Sequence, residues 1–436
     1  LLWYDLFKRM FYTILIVILI QPTCLLSVDV DNKREEMLNN NYSHILSSKD
    51  IDKYFTLVTT IDKPISLKKY YGMQDLSINY YPGTINIILS VPHDGDLKSN
   101  LNTRPLGGCK KQNSSSTKCI YQHPCPMAYK MNQIDCPISR GRDTNTRLLA
   151  LALRYELNKL INLKPFVIIN RIQRLKVDMN RFIDEATFGY GENMKAWMLY
   201  HFYIQHAREL IVRNIGKGIL FDIHSQSHIE GWVEIGYLIT SEQLKNGKYS
   251  FRKSTLTSTL PFNETELITG YKSLGYFIEK YNYPATPSPS HPKPPYSSYY
   301  EWGYIIDEYG ARLRTDNFSA IMIESPSKQL LNKTRLFFYA KSLAKALADY
   351  LIELNIIEEF SENIKMNRRV VSYKTTIISE INGKHNSTDN YSTSTSPYSS
   401  EQSQNGGNDP NKILQNPIET RNSSDFLRSY YDPEQT

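Results

Sequence analysis

The chain's hydrophobic pattern predicts an α/β fold, a mixed and mostly parallel sheet flanked by helices. Three observations lead there. Short apolar runs alternate with longer stretches of helical spacing. The runs at 84–91, 218–223 and 319–324 are nearly continuous in Ile, Leu, Val and Phe, as central strands covered on both faces require. Polar residues able to carry chemistry stand where such runs stop, which in an open α/β sheet is where ligands bind.

Taken in order, the chain of 436 residues opens with Lys8 and Arg9, an apolar run at 11–20, and then Pro22, Thr23, Cys24 and Ser27 before the polar segment at Asp29. That profile is a signal peptide over residues 1–28. The run is shorter than the ~20 apolar residues needed to span a bilayer, so no stable membrane span is expected. The expected compartment is therefore secreted, or extracellular. The catalytic domain is expected over 29–360, with strands at 84–91, 165–170, 218–223, 233–240 and 319–324 and helices at 148–160, 194–213, 264–281 and 334–354.

Two insertions interrupt this alternation. A segment at 107–138 holds Cys109, Cys119, Cys125 and Cys136, which in an oxidising compartment favours two disulfides with three pairings open. No close Cys-x-x-Cys pair supports a four-cysteine zinc site instead. The second insertion, at 283–300, is dense in Pro and Tyr and reads as an extended surface loop. From 361 to 436 the composition turns to Ser, Thr, Asn and Gln, with too little apolar surface to offset ordering entropy, so a disordered tail is expected. Sequons at Asn41, Asn113, Asn263, Asn317, Asn332, Asn386, Asn390 and Asn422 fit a glycoprotein. The net charge of +7 is scattered rather than striped, which argues against a nucleic-acid partner.

Four strand ends carry the candidate chemistry. After the first strand comes Pro92-His93-Asp94-Gly95-Asp96, where His93 and Asp96 can face one metal ion across a tight turn. The strand at 218–223 runs into Asp222-Ile223-His224, and alternation puts Asp222 on the same side as His224, where it can support that ring; His228 follows as a further support or substrate contact. Beyond the strand at 165–170 lie Arg174 and Asp178-Met179-Asn180-Arg181. The guanidinium of Arg181 and the amide of Asn180 suit an acidic substrate group, and the competing use of Arg181 is an ion pair with Asp184 or Glu185. The last strand delivers Glu324, a carboxylate able to take a proton from water.

Together these motifs resemble the N-formylglutamate amidohydrolase-like family, whose fold is related to that of the zinc carboxypeptidases. Its elements are matched in order by Pro92-His93-Asp94-Gly95, Asp143 before Thr144, Arg174 with Asp178-Met179-Asn180-Arg181, Asp222-Ile223-His224 and Glu324, over roughly residues 84–354. The resemblance implies a zinc-peptidase-like domain with one zinc ion per chain, held by His93, His224 and a carboxylate. The carboxypeptidase pattern His-x-x-Glu points to Asp96 as that ligand, and Asp143 is the alternative ligand or a substrate contact. It further implies Glu324 as general base, Arg174 as a donor to the developing oxyanion, and Asn180 and Arg181 holding a substrate carboxylate, with Asp178 in the same binding segment. The expected function is hydrolysis of an amide bond near a carboxylate in a small acyl-amino acid or peptide. The alternatives are an inactive secreted binding protein on the same fold and a Ser hydrolase using Ser225, which lacks a Gly-x-Ser-x-Gly elbow.

Overall fold

The structure, a computed structural model, describes residues 47–65, 77–112, 117–295 and 299–357. The expected leader at 1–28 and tail at 361–436 lie outside the described residues. All described residues belong to one unit, Leu1–Ile377.

A seven-stranded sheet runs in the order β1 (Ile78–Tyr81), β5 (Phe166–Asn170), β2 (Ile87–Val91), β6 (Lys217–Gln226), β9 (Asn317–Pro326), β7 (Val233–Gly236) and β8 (Ala285–Thr286). The four central strands, β5, β2, β6 and β9, are mutually parallel, while β1 and β7 join antiparallel to β5 and β9. Their carboxyl ends therefore share one edge, which is the condition for the strand-end residues to meet. The remaining two strands, β3 (Cys109–Lys111) and β4 (Tyr129–Met131), form a separate small sheet in the cysteine insertion. Its disulfides are Cys109–Cys125 and Cys119–Cys136, which settles the pairing that the sequence leaves open.

Alternation along the strands sorts the two faces. Leu89 and Val91, Phe221 and Ile223, and Ile321 and Ile323 enter one apolar core with α1 (Ser48–Thr60), α2 (Thr146–Ile161), α7 (Leu274–Lys280) and α10 (Lys333–Glu353). The opposite parity holds Ser90, Asp222, His224 and Glu324, and the long helix α4 (Gly191–Ile215) packs on β1, β2, β5 and β6. On that side the Tyr200 hydroxyl, from α4, pairs with Ser90 Oγ at 2.7 Å.

The expected strands and helices are all present, with shifted limits. The helix read at 264–281 is two, α6 (Glu264–Ile268) and α7, because Ser273 caps a fresh start by accepting from the Tyr276 amide. The strand read at 233–240 stops at Gly236, and Leu238 adopts φ +64°, which a strand cannot include. The described sequon residues Asn263, Asn317 and Asn332 are all exposed. Among the described residues, no helix is long and apolar enough to cross a membrane.

Candidate metal centre

His93 lies in the turn just beyond β2. The turn is fastened to the end of β5: Asn170 Nδ2 donates to Pro92 O at 2.8 Å, and the Leu97 amide donates to Arg171 O at 2.8 Å. Gly95 is required there, since a Cβ would come within 1.9 Å of Ile172 O. His224 stands two residues from Asp222 on β6, and Asp143 comes from the turn before α2, its amide donating to His93 O at 3.2 Å. These three side chains converge: His93 Nδ1 is 3.1 Å from His224 Nδ1, and Asp143 Oδ2 is 3.0 Å from His224 Nδ1 and 3.4 Å from His93 Nδ1.

The outer nitrogens explain why. His93 Nε2 lies 2.7 Å from Asp178 Oδ1, and His224 Nε2 lies 2.7 Å from Asp222 Oδ2. A carboxylate accepts and cannot donate, so each ring keeps its hydrogen on Nε2 and turns the Nδ1 lone pair inward. Two lone pairs and a carboxylate oxygen then face one another with no hydrogen among them, an arrangement that needs a cation. Burial alone would push His224 toward neutrality, but Asp222, Asp143 and Glu324 outweigh it and hold its pKa well above the ordinary imidazole value. For the same reason Asp143 stays ionised, because His224 and His93 overcome the burial that would protonate it.

The donor set fits a metal. Ligand atoms on a tetrahedron of about 2.0–2.1 Å radius sit roughly 3.3 Å apart. The three spacings here are 3.0, 3.1 and 3.4 Å. His93, Asp143 and His224 are accordingly a group able to hold a metal ion, and the side chain of Asp143 keeps 10 % of its surface open.

Around this group, β6 and β9 pair so that His224 is the direct neighbour of Glu324, and β7 sets Glu234 against Glu324 on the other side. Glu324 is buried with Oε2 unpartnered in the structure. Burial, with Asp143 and Glu234 nearby, raises its pKa to about 8 against the opposing pull of His224 and Arg174. Arg174 spans two carboxylates, with Nε donating to Asp178 Oδ2 at 2.8 Å and Nη1 3.8 Å from Asp143 Oδ1. Asn180 ties the site to the 303–305 segment: its backbone amide donates to Asp178 Oδ1 at 3.0 Å, and its Oδ1 accepts from the Ile305 amide at 2.9 Å.

Two expected residues, Asp96 and Arg181, are placed differently. Asp96 is not in the metal-capable group; it is partly exposed among Arg142, Arg147 and Arg171 at 3.4–3.6 Å, and Asp143 takes the position beside the histidines. Arg181 makes the competing ion pair, with Nε 3.2 Å from Glu185, and its guanidinium lies over the Trp302 ring. His228, expected as a support or substrate contact, is bonded through Nδ1 to the buried Glu234 and stacks on Tyr300.

Sequence reasoning passed over Arg104 and Glu234. Arg104 is buried and donates to Arg174 O and Ser139 O, both at 2.7 Å, from a stretch with no pattern to mark it. Glu234 had a signal, a carboxylate between Val233 and Ile235 in an apolar strand.

No protein-family model matches the chain, and no curated protein matches it. Among solved structures, it is similar to an N-formylglutamate amidohydrolase from Ralstonia eutropha JMP134, with 12% identity and a TM-score of 0.36, covering 63% of this chain and 97% of that one. A gene product from Agrobacterium tumefaciens matches with 12% identity and a TM-score of 0.35 over 64% of this chain and 96% of its own. A chain from Shewanella amazonensis SB2B, described as a candidate metallopeptidase, matches with 12% identity and a TM-score of 0.30 over 70% and 92%. Likeness of this degree lends nothing to the chemistry, which rests on the site.

Proposed function

We propose that the domain is a secreted, zinc-dependent hydrolase that cleaves an amide bond near a carboxylate in a small acyl-amino acid or peptide. The observation that carries this reading is the meeting of His93, Asp143 and His224 with zinc-like spacings, each histidine braced from outside by a buried carboxylate. A zinc ion bound there supplies Lewis acidity toward a carbonyl and makes water a nucleophile near neutral pH.

The chain's own residues supply the rest. A cation held by His93, Asp143 and His224 would offset the burial that raises the Glu324 pKa and favour its ionised form; Glu324, beside His224 and with an unpartnered carboxyl oxygen, would then accept the proton of the attacking water and return it to the leaving nitrogen. Arg174, fixed by Asp178, offers positive charge next to Asp143 where the oxyanion develops. Arg181, partly exposed on the Asn180 segment, is the group assigned to the substrate carboxylate, which would draw it from Glu185. Asn180 is held by the Ile305 amide, which donates to its Oδ1 at 2.9 Å, and by its own backbone amide, which donates to Asp178 Oδ1 at 3.0 Å, and so fixes that segment beside the site. Two disulfides support an oxidising compartment.

Elemental analysis of purified protein tests the reading. About one zinc per chain is expected in the wild type and none in His93→Ala or His224→Ala. Full occupancy in both variants would remove the site assignment. Zinc bound without hydrolysis of any acyl-amino acid or peptide would leave a binding protein instead. For Arg181→Ala, kcat/KM should fall more for an acid substrate than for its amide, and an unchanged ratio would exclude Arg181 from carboxylate recognition.

A further inference from the structure

The turn carrying His93 also carries two carboxylates outside the ligand group. Asp94 is buried, and it is saturated: Oδ1 accepts from Arg142 Nε at 2.8 Å and Nη2 at 2.7 Å, and Oδ2 accepts from the Arg147 amide at 2.8 Å. Asp143 lies between those two attachment points, and its own amide donates to His93 O at 3.2 Å. The 142–147 segment is thus tied to residues 93 and 94 by two backbone amides, those of Asp143 and Arg147, and by the Arg142 side chain, around the one carboxylate that meets both histidines.

We propose that Asp94 is a positioning residue for the metal centre, holding the 142–147 turn so that Asp143 completes the ligand set. The inference rests on the metal reading above. The reason is geometric. Asp143 joins the histidines from a turn some fifty residues along the chain, where Asn145 takes a left-handed conformation at φ +69° just before α2. Within the His93 turn, the His93 carbonyl and the Asp94 carboxylate make the hydrogen bonds to that backbone, and Asp94 makes the short bonds to Arg142, whose guanidinium is about one third exposed; Asp96 adds a contact to Arg142 of 3.6 Å. An Asn at 94 keeps the shape but turns one acceptor into an N–H₂ donor, which then faces either the Arg142 donors or the Arg147 amide.

Asp96 gives the contrast within the same turn. Its contacts to three arginines are 3.4–3.6 Å, longer than the 2.7–2.9 Å of strong charge-assisted bonds, and it is half-exposed. Its loss should leave the ligands where they are.

The test is zinc affinity, measured by competition with a chromophoric chelator, together with the visible absorption of the cobalt(II)-substituted protein, which reports ligand geometry without turnover. Asp94→Asn and Arg142→Gln should each weaken zinc by about 10–100-fold and change the cobalt spectrum. Asp96→Asn should change neither. Asp62→Asn, which breaks the ion pair of a half-buried carboxylate with the buried Arg154, serves as the destabilised control and should also keep wild-type affinity. A wild type that binds no zinc defeats the metal reading itself. A wild type that binds zinc beside Asp94→Asn and Arg142→Gln variants that bind it equally well overturns the positioning role alone. Equal losses in Asp96→Asn or Asp62→Asn would overturn it too, since the effect would then belong to the whole turn or to general stability. Should Asp94→Asn fail to fold, Arg142→Gln removes the same bond from its exposed side.

Discussion

At the scale of single residues, Glu324 and His224 are strand neighbours to which the proposed function gives different duties. In the proposed function His224 is a metal ligand, whereas Glu324, outside the metal-capable group, is assigned only to carry a proton. Glu324→Gln should therefore keep the metal and lose roughly 100-fold or more in rate. Metal content and kcat on the same preparation check this, and loss of zinc in the variant would make Glu324 a ligand. The two histidines are legible in the sequence because each follows an apolar run that stops abruptly. The carboxylate ligand is less so. Asp96 is three residues from His93 and so presents itself first, but short separation says nothing about direction, and the Asp96 side chain leaves toward the arginines. Asp143 reaches the site only through the placement of a distant turn, which no local pattern encodes; the family resemblance alone marked it.

At the scale of elements, the strands were readable from apolar runs and the long helices from their period, but register was not. That Glu234, Glu324 and His224 share one row across β7, β9 and β6 depends on pairing between strands far apart in sequence. The strand β1 was missed because Ile-Asn-Tyr-Tyr is short and has no apolar run, and α1 because its apolar positions, Ile51, Phe55 and Val58, are sparse. The end of α1 is fixed electrostatically. Asp62 lies 3.0 Å from Arg154 Nε on α2 and 2.7 Å from Lys164 Nζ, and the largely buried Arg154 also donates to Pro82 O and Pro165 O. Burial would raise the Asp62 pKa, but Lys164 and Arg154 outweigh it and hold it below the ordinary carboxylate value of 3.8. The folded pKa is thus depressed, so the stabilisation is present in full above the unfolded value and is lost as pH falls through the folded one. Asp62→Asn should cost about 1–3 kcal/mol near neutral pH by leaving Arg154 short of a partner. Urea midpoints of both proteins at pH 7 and pH 3 check it: the gap should narrow in acid, and a constant gap would show that the charge of Asp62 is not the cause.

At the scale of the whole molecule, the cysteine insertion differs from the body that carries it. The sheet is sealed by apolar residues on β2, β6 and β9, most of them fully buried. In the insertion, β3 and β4 have three residues each, and Met127 and Ile134 are 95% and 86% exposed. So small an apolar interior cannot order a segment of this length, and the interlaced bridges Cys109–Cys125 and Cys119–Cys136 supply the missing constraint. Closing a loop of this size is worth about 3 kcal/mol to the part it orders. Links to the body include Tyr121, which meets Phe188 edge-on at 5.7 Å, His123, whose ring lies 6.1 Å from that of Tyr190, and Arg104, which holds Ser139 O just past the insertion. Replacing Cys119 and Cys136 by Ser should therefore unfold the insertion locally and leave the sheet intact. In hydrogen exchange, amides within 107–138 should lose protection while those of β2, β6 and β9 keep it, and the zinc content should stay at the wild-type value because Arg104 and the 142–147 turn are held from the body side. If the central strands lost protection together with the insertion, the two would form one cooperative unit, and the disulfides would be part of what holds the metal centre together.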